Sequence, residues 1–240
     1  MDETITVRSA LNDTGAHLMP PDAVRAQLAP AAEGRGWERF AAHWASLAPD
    51  PYASEQGTRR QRRYGQFLLH PASGELRRLP HVPFVQPDDS NPLYVQVDRH
   101  FEPLTDAFAD DPVLHAFLFL LGRLAEGLDP TTRDWSAKVH PFRVMASGEG
   151  GEGSPTPEGR HRDGVTLVSS LLVSRANASG GRSTVYTPDG HELLATTLDA
   201  PGALLVADDR RTLHSVSPIR PVDPSAPALR DVLVATLAPA

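Results

Sequence analysis

The 240-residue chain has no cysteine, which excludes disulfides, iron–sulfur clusters, thiolate zinc sites and cysteine nucleophiles in one step. It also lacks any excess of basic residues. Its formal charge is -7, a poor electrostatic footprint for nucleic acid, so no nucleic-acid partner is expected. Long apolar runs are missing: the longest, around Val113 to Leu121, holds His115 and is far too short to span a bilayer. Met1, Asp2 and Glu3 open the chain with neither a basic patch nor an apolar stretch, so no signal peptide and no membrane association are expected. A chain without disulfides is compatible with a reducing cytosol, and the expected location is cytoplasmic. There is no G-x-S-x-G elbow, no H-E-x-x-H, no P-loop and no dinucleotide fingerprint. The Gly-rich run Gly148 to Gly153 has neither the lysine nor the following helix of a phosphate cradle and reads as a mobile loop.

What is present is a helical half followed by a strand-rich half. The 23 prolines and 18 glycines suit short strands and turns better than a helix bundle. Residues 1–20 are weakly patterned and read as a flexible lead-in. Trp37, Phe40, Ala41, Trp44 and Leu47 recur every three or four residues and make one apolar helix face, which Pro49 and Pro51 end. A second helix is predicted from Pro112 to about Leu128, with Val113, Phe117, Leu120, Leu121 and Leu124 as its buried stripe and Gly127 as terminator. Between the two, the basic run Arg59 to Arg63 reads either as a solvated strand edge or as a rim that draws in an anion. After Pro130 come strand-like runs over residues 136–146, 165–174, 183–186, 203–206 and 231–237, separated by turn clusters. The expected fold is α+β, mainly β: one domain in which helix-rich support (21–130) packs on a double-stranded β-helix, a cupin-like jelly roll (131–240).

The chemistry centres on His161-Arg162-Asp163. In an extended segment residues i and i+2 point to one side, so an imidazole and a carboxylate converge. His214, just beyond the apolar run Ala203 to Val206, is the candidate third ligand. Two histidines and one carboxylate form the facial triad of non-haem iron(II) oxygenases, with positions left open for co-substrate and dioxygen. Arg230 opens the strand Val232-Leu233-Val234 and is the candidate anchor for the far carboxylate of 2-oxoglutarate, with Arg220 as competitor. Between those arginines Pro221 to Ala228 reads as an inserted loop. The other histidines, His17, His43, His70, His81, His100, His115 and His191, have no carboxylate two residues away in a comparable setting and read as ordinary side chains. His140 and Arg143 precede the metal segment; their spacing of three sends them to opposite faces of an ideal strand, so only one can line a pocket unless a bulge intervenes. Arg143 is a candidate for a substrate carboxylate or an outward arginine. Thr184 and Tyr186 share a face and serve either the 2-oxoglutarate site or cross-strand packing.

Taken together, the run Pro155 to Gly164, Asn177 to Tyr186, His214 to Ile219 and Arg230 to Leu233 resembles the small bacterial iron(II)/2-oxoglutarate oxygenases that include L-isoleucine 4-hydroxylase. Arg62-Arg63-Tyr64 and Asn91-Pro92-Leu93 extend the resemblance upstream. It implies a double-stranded β-helix, metal ligation by His161, Asp163 and His214, and Arg230 as co-substrate anchor. It also implies iron(II), 2-oxoglutarate and dioxygen, with hydroxylation of a free L-amino acid and release of succinate and CO2. A free amino acid needs a cation for its carboxylate, supplied by Arg143 or the Arg59 to Arg63 run, and an acceptor for its ammonium, for which Glu158 is the candidate. Because Asp163 is present, hydroxylation rather than chlorination is expected. The alternatives are a carrier-tethered or peptidyl substrate, desaturation or cyclisation, or a non-catalytic cupin-like sensor. A homodimer is compatible with the sequence.

Overall fold

The apolar stripe after Pro112 folds as the helix that its spacing predicts, and the strands wrap over it. In a computed structural model, residues 3–55, 57–85 and 98–240 are described. The elements run α1 (Glu3–Asp13), β1 (Ala16–Met19), α2 (Pro21–Leu28), α3 (Gly36–Ala42), a 3-10 turn at His43–Ser46, β2 (Ala48–Pro49), α4 (Pro51–Glu55), β3 (Arg59–Arg62), β4 (Gly65–His70), β5 (Glu75–Arg78), α5 (Asp106–Ala109) and α6 (Pro112–Leu128). They continue as β6 (Trp135–Ala146), β7 (Leu167–Ala176), β8 (Ala178–Gly180), β9 (Arg182–Tyr186), β10 (Glu192–Thr197), β11 (Leu204–Asp208), β12 (Leu213–Val216), β13 (Ile219–Pro221) and β14 (Ala228–Pro239). Asn91-Pro92-Leu93 lies outside the described residues.

α6 starts where a buried carboxylate says it should. Asp111 accepts the Val113 N–H at 2.8 Å, Pro112 takes the first helical position, and Arg39 and His43 approach the other carboxylate oxygen at 3.2 and 3.1 Å. Val113, Leu114, Phe117, Leu118, Leu121 and Leu124 are fully buried, against strand residues such as Leu167, Leu171, Leu233, Ala235 and Leu237. Gly127 is not the terminator. It lies inside the last turn, and a Cβ there would come within 2.6 Å of Arg8 Cγ; the glycine makes room for Arg8 to cross from α1 to the Arg123 carbonyl at 2.7 Å.

The main sheet of nine strands runs β1-β11-β7-β14-β6-β3-β2, with β4 paired to β6 and β5 to β4. β10-β9-β12 forms a second sheet and β13-β8 a third. The result is a mostly antiparallel jelly roll. Alternation along β14 divides its labour: Leu233, Ala235 and Leu237 belong to the helix-backed core, while Arg230, Val232, Val234 and Thr236 face a cavity.

The lead-in differs from expectation. Residues 3–19 carry α1 and β1; Val7, Leu11 and Met19 are fully buried, and β1 pairs with β11 from Ala16↔Ala207 to Met19↔Leu204. The segment 21–130 is likewise more than helical support, because β3 and β4 both pair with β6 in the main sheet. The Gly148 to Gly153 loop ends in a paired residue: Gly153 exchanges hydrogen bonds with Ile219 at 3.0 and 2.9 Å. The loop before Arg230 is also tied down, since the Asn177 amide donates to the carbonyls of Asp223 (2.9 Å) and Ala226 (2.8 Å).

Candidate metal centre and substrate cavity

His161 and His214 are brought together by backbone pairing. They form an antiparallel bridge, His161 N–H to His214 carbonyl at 3.1 Å and the reverse at 2.8 Å, and their ring centroids are 4.3 Å apart. Both Nε2 atoms turn to the same carboxylate, His161 Nε2 to Asp163 Oδ1 at 4.0 Å and His214 Nε2 to Asp163 Oδ2 at 3.8 Å. One donor atom from each of the three residues fits within 4.8 Å, and among the described residues no other such group forms. Asp163 sits in a turn ahead of β7 rather than on its first residues. Burial and the neighbouring His161 lower the pKa of His214 to about 4, so its ring is neutral at physiological pH, as a metal requires.

Sequence reasoning missed Asp209, a fully buried residue in the turn between β11 and β12. Its Oδ2 accepts the backbone N–H groups of Asp163 (2.9 Å) and Val165 (3.1 Å), and its Oδ1 lies 3.6 Å from His214 Nδ1. Burial, and then the Asp163 charge, raise its pKa to about 7. No sequence signal marks it: Asp208-Asp209 reads as an ordinary turn.

Arg230 projects from β14 into the same cavity and is 1% exposed, with Nε and Nη2 buried and without a hydrogen-bond partner. Burial, and then Arg175, lower its pKa to about 10, so it remains charged. An orphaned buried guanidinium is costly unless an anion meets it. Arg220 lies at the surface beside Glu152, with which it pairs.

The far wall is cationic and aromatic. Arg60 and Arg62, alternate residues of β3, point inward, and both approach Asp50 Oδ2, at 2.8 and 3.8 Å. Arg62 stacks over Phe101 with its guanidinium carbon 3.5 Å from the ring centroid, and it hydrogen-bonds His140 Nδ1. His140 stacks on Tyr64 at 4.8 Å; burial first, then Arg62, hold its pKa well below the usual histidine value. Arg99 and Lys138 line the cavity as well.

The remaining sequence candidates separate. Glu158 lines the cavity, with Oε1 3.4 Å from His161 Nε2. Arg143 does not: it is on the opposite face of β6 from His140 and makes a two-pronged pair with Asp231, both contacts at 2.7 Å. Thr184 lines a smaller adjoining cavity with His214, and Tyr186 meets Ser215 at 3.3 Å and lies under Arg160. The arginine run is therefore neither a solvated edge nor an outer rim throughout. Its even-numbered members form a buried wall, whereas Arg59 reaches Ser147 at the surface.

A jelly roll carrying two histidines and a carboxylate around one open point defines the class of mononuclear non-haem metal oxygenases. The family model described as 2OG-Fe dioxygenase matches residues 41–236, and the chain belongs to that family. A bsmA homologue from Methylobium petroleophilum is 31% identical, with 98% of this chain and 92% of that chain covered and a TM-score of 0.85. IDO from Bacillus thuringiensis shares the fold at 17% identity (98% and 94% covered, TM-score 0.79). The Fe(II)/(alpha)ketoglutarate-dependent dioxygenase TqaL does so at 18% (98% and 86%, TM-score 0.75). No curated protein matches the chain. The family uses iron(II), 2-oxoglutarate and dioxygen. The donor set fits a first-row divalent ion, and the orphaned Arg230 fits a carboxylate. Among the described residues no helix is long and apolar enough to cross a membrane.

Proposed function

We propose that the chain hydroxylates a free L-amino acid, consuming 2-oxoglutarate and dioxygen and releasing succinate and CO2, in the manner of the amino-acid hydroxylases it resembles in sequence. The observation that carries this reading is the composition of one cavity. The three candidate ligands and Arg230 share it with a buried cationic wall, Arg60 and Arg62, and, among the described residues, with one carboxylate outside the triad, Glu158.

His161, Asp163 and His214 would hold the iron, and Arg230 would hold the far carboxylate of 2-oxoglutarate. Bound together with dioxygen, this pair supplies an oxidant able to attack an unactivated C–H bond. The protein's share is placement. Arg62, stacked on Phe101 and tied to His140, offers a fixed guanidinium for the substrate carboxylate, the role that Arg143 is placed too far round the strand to play. Glu158 faces the cavity and accepts the substrate ammonium once His161 Nε2 is committed to a metal. The apolar residues Val168, Val232 and Val234 line the space between and keep the reacting carbon dry.

The test is succinate formation by the iron-loaded enzyme across the twenty amino acids, with mass detection of one added oxygen atom. A free amino acid should stimulate turnover and its methyl ester should do so much less. Equal turnover of ester and acid favours a tethered substrate, and no stimulated succinate from any of them defeats the reading. Asp163→Ala should lose both iron and turnover.

A further inference from the structure

Each candidate histidine ligand offers Nε2 to the metal point, so each Nδ1 needs an acceptor to fix ring orientation and tautomer. For His161 that acceptor is its own chain: Nδ1 lies 3.1 Å from the Gly159 carbonyl. For His214 the nearest is Asp209 Oδ1 at 3.6 Å, and neither atom has another hydrogen-bond partner although both are buried. The second oxygen of the same carboxylate holds the Asp163 and Val165 N–H groups. One side chain therefore touches the elements that carry two of the three ligands, from a turn that supplies neither. Closing the remaining gap takes about 0.5 Å of ring movement.

We propose that Asp209 is the positioning residue of the metal centre: it accepts the His214 Nδ1–H and clamps the Asp163 turn, so that both ligands arrive preorganised. This rests on the metal-centre reading above. It makes Asp209 part of the metal affinity and not only of the fold.

The experiment titrates cobalt(II), a redox-stable stand-in, into metal-free wild type, Asp209→Asn and Asp208→Asn, reading dissociation constant and visible d–d spectrum, with circular dichroism as the check on folding. Asp208 is the matched control: it is buried and acidic, but it pairs with Arg210 and Arg211 rather than with a ligand. Asp209→Asn should weaken binding about 10–100-fold and alter the spectrum, while Asp208→Asn matches wild type. Affinity within about threefold of wild type and an unchanged spectrum in a folded Asp209→Asn protein would overturn the proposal. Should that variant not fold, zinc-loaded wild type labelled with 15N-histidine decides. A slowly exchanging, hydrogen-bonded Nδ1–H on His214 supports the role, and Nδ1 ligation or exchange as fast as at exposed His191 removes it. If wild type itself takes up no cobalt, the metal-centre reading fails first and the proposal falls with it.

Discussion

As the proposed 2-oxoglutarate anchor, Arg230 would cost the ligand-free protein stability and give the loaded protein affinity. Its guanidinium is fully desolvated with two nitrogens unpaired, beside the like charge of Arg175. Arg230→Met should therefore stabilise the ligand-free chain to chemical denaturation by about 1–3 kcal/mol, the cost of an unsatisfied buried polar group. The same variant should weaken 2-oxoglutarate at least about a hundredfold, because it forfeits two charge-assisted hydrogen bonds of roughly 1.5–3 kcal/mol each. Loss of 2-oxoglutarate affinity in Arg220→Ala but not in Arg230→Met would transfer the anchor. His140 makes a pH-dependent counterpart. Burial and the cations around it hold its folded pKa well below the value near 6.5 that it has when unfolded. Above that value the two states bind equal protons; below it only the unfolded state is protonated, so stability is lost as pH falls. Between about pH 6.5 and about pH 5.5 the metal-free wild type should lose more stability than His140→Gln, measured by urea denaturation. An identical pH slope in the two proteins would rule this out.

The strands explain which parts of this were visible beforehand. β6, β7 and β14 are long and each carries an apolar face, so their runs stood out in the sequence, and α6 stood out by its 3.6-residue stripe. The short, half-exposed β10, β12 and β13 have no such pattern and exist because β9 or β8 pairs with them. α1 and β1 were illegible for a related reason. Their apolar residues are sparse, and burial of Val7, Leu11 and Met19 comes from α6 and β11, elements far off in sequence. The HxD pair and His214 were legible because the chemistry restricts residue type, but the bridge that joins them is a tertiary fact. Arg60 and Arg62 carried a period-two signal inside a run that composition alone reads as surface charge. Gly153 shows the same dependence on a distant element. A Cβ there would sit 2.5 Å from the Met145 carbonyl oxygen, backbone that cannot step aside. Gly153→Ala should cost about 1–3 kcal/mol in urea denaturation, whereas Gly148→Ala meets no neighbouring atom and pays only for its positive φ. Equal losses in the two would show that close approach is not what Gly153 provides.

At the scale of the whole molecule, the chain's first elements are tied to the candidate metal site. β1 is the edge strand on β11, and its register places Ala16 opposite Ala207, next to the turn that holds Asp209. The Gly15 carbonyl accepts the Asp208 N–H at 2.9 Å, and Arg211 donates to the Leu11 and Asn12 carbonyls at 2.7 Å each. The turn between the strand bearing Asp208 and the strand bearing His214 is therefore gripped from α1 and β1. Removing residues 1–19 uncovers the β11 edge and the sides of α6 and β11 that α1 and β1 cover. It also frees the turn. The expected outcome is a protein whose cobalt(II) affinity falls by more than its secondary structure does, since the main sheet loses only its edge strand β1 and keeps β7, β14 and β6 at its centre. A milder test keeps the chain intact: Arg211→Ala removes two of the grips while leaving every candidate ligand in place. Metal and 2-oxoglutarate at about 100 times the wild-type dissociation constants should stabilise wild type by about 2.7 kcal/mol per ligand, and at the same concentrations the increment should shrink in Arg211→Ala. An undiminished increment would mean that the turn holds its shape without the Arg211 contacts, and that Asp209 and the backbone bridge to His161 suffice to position His214.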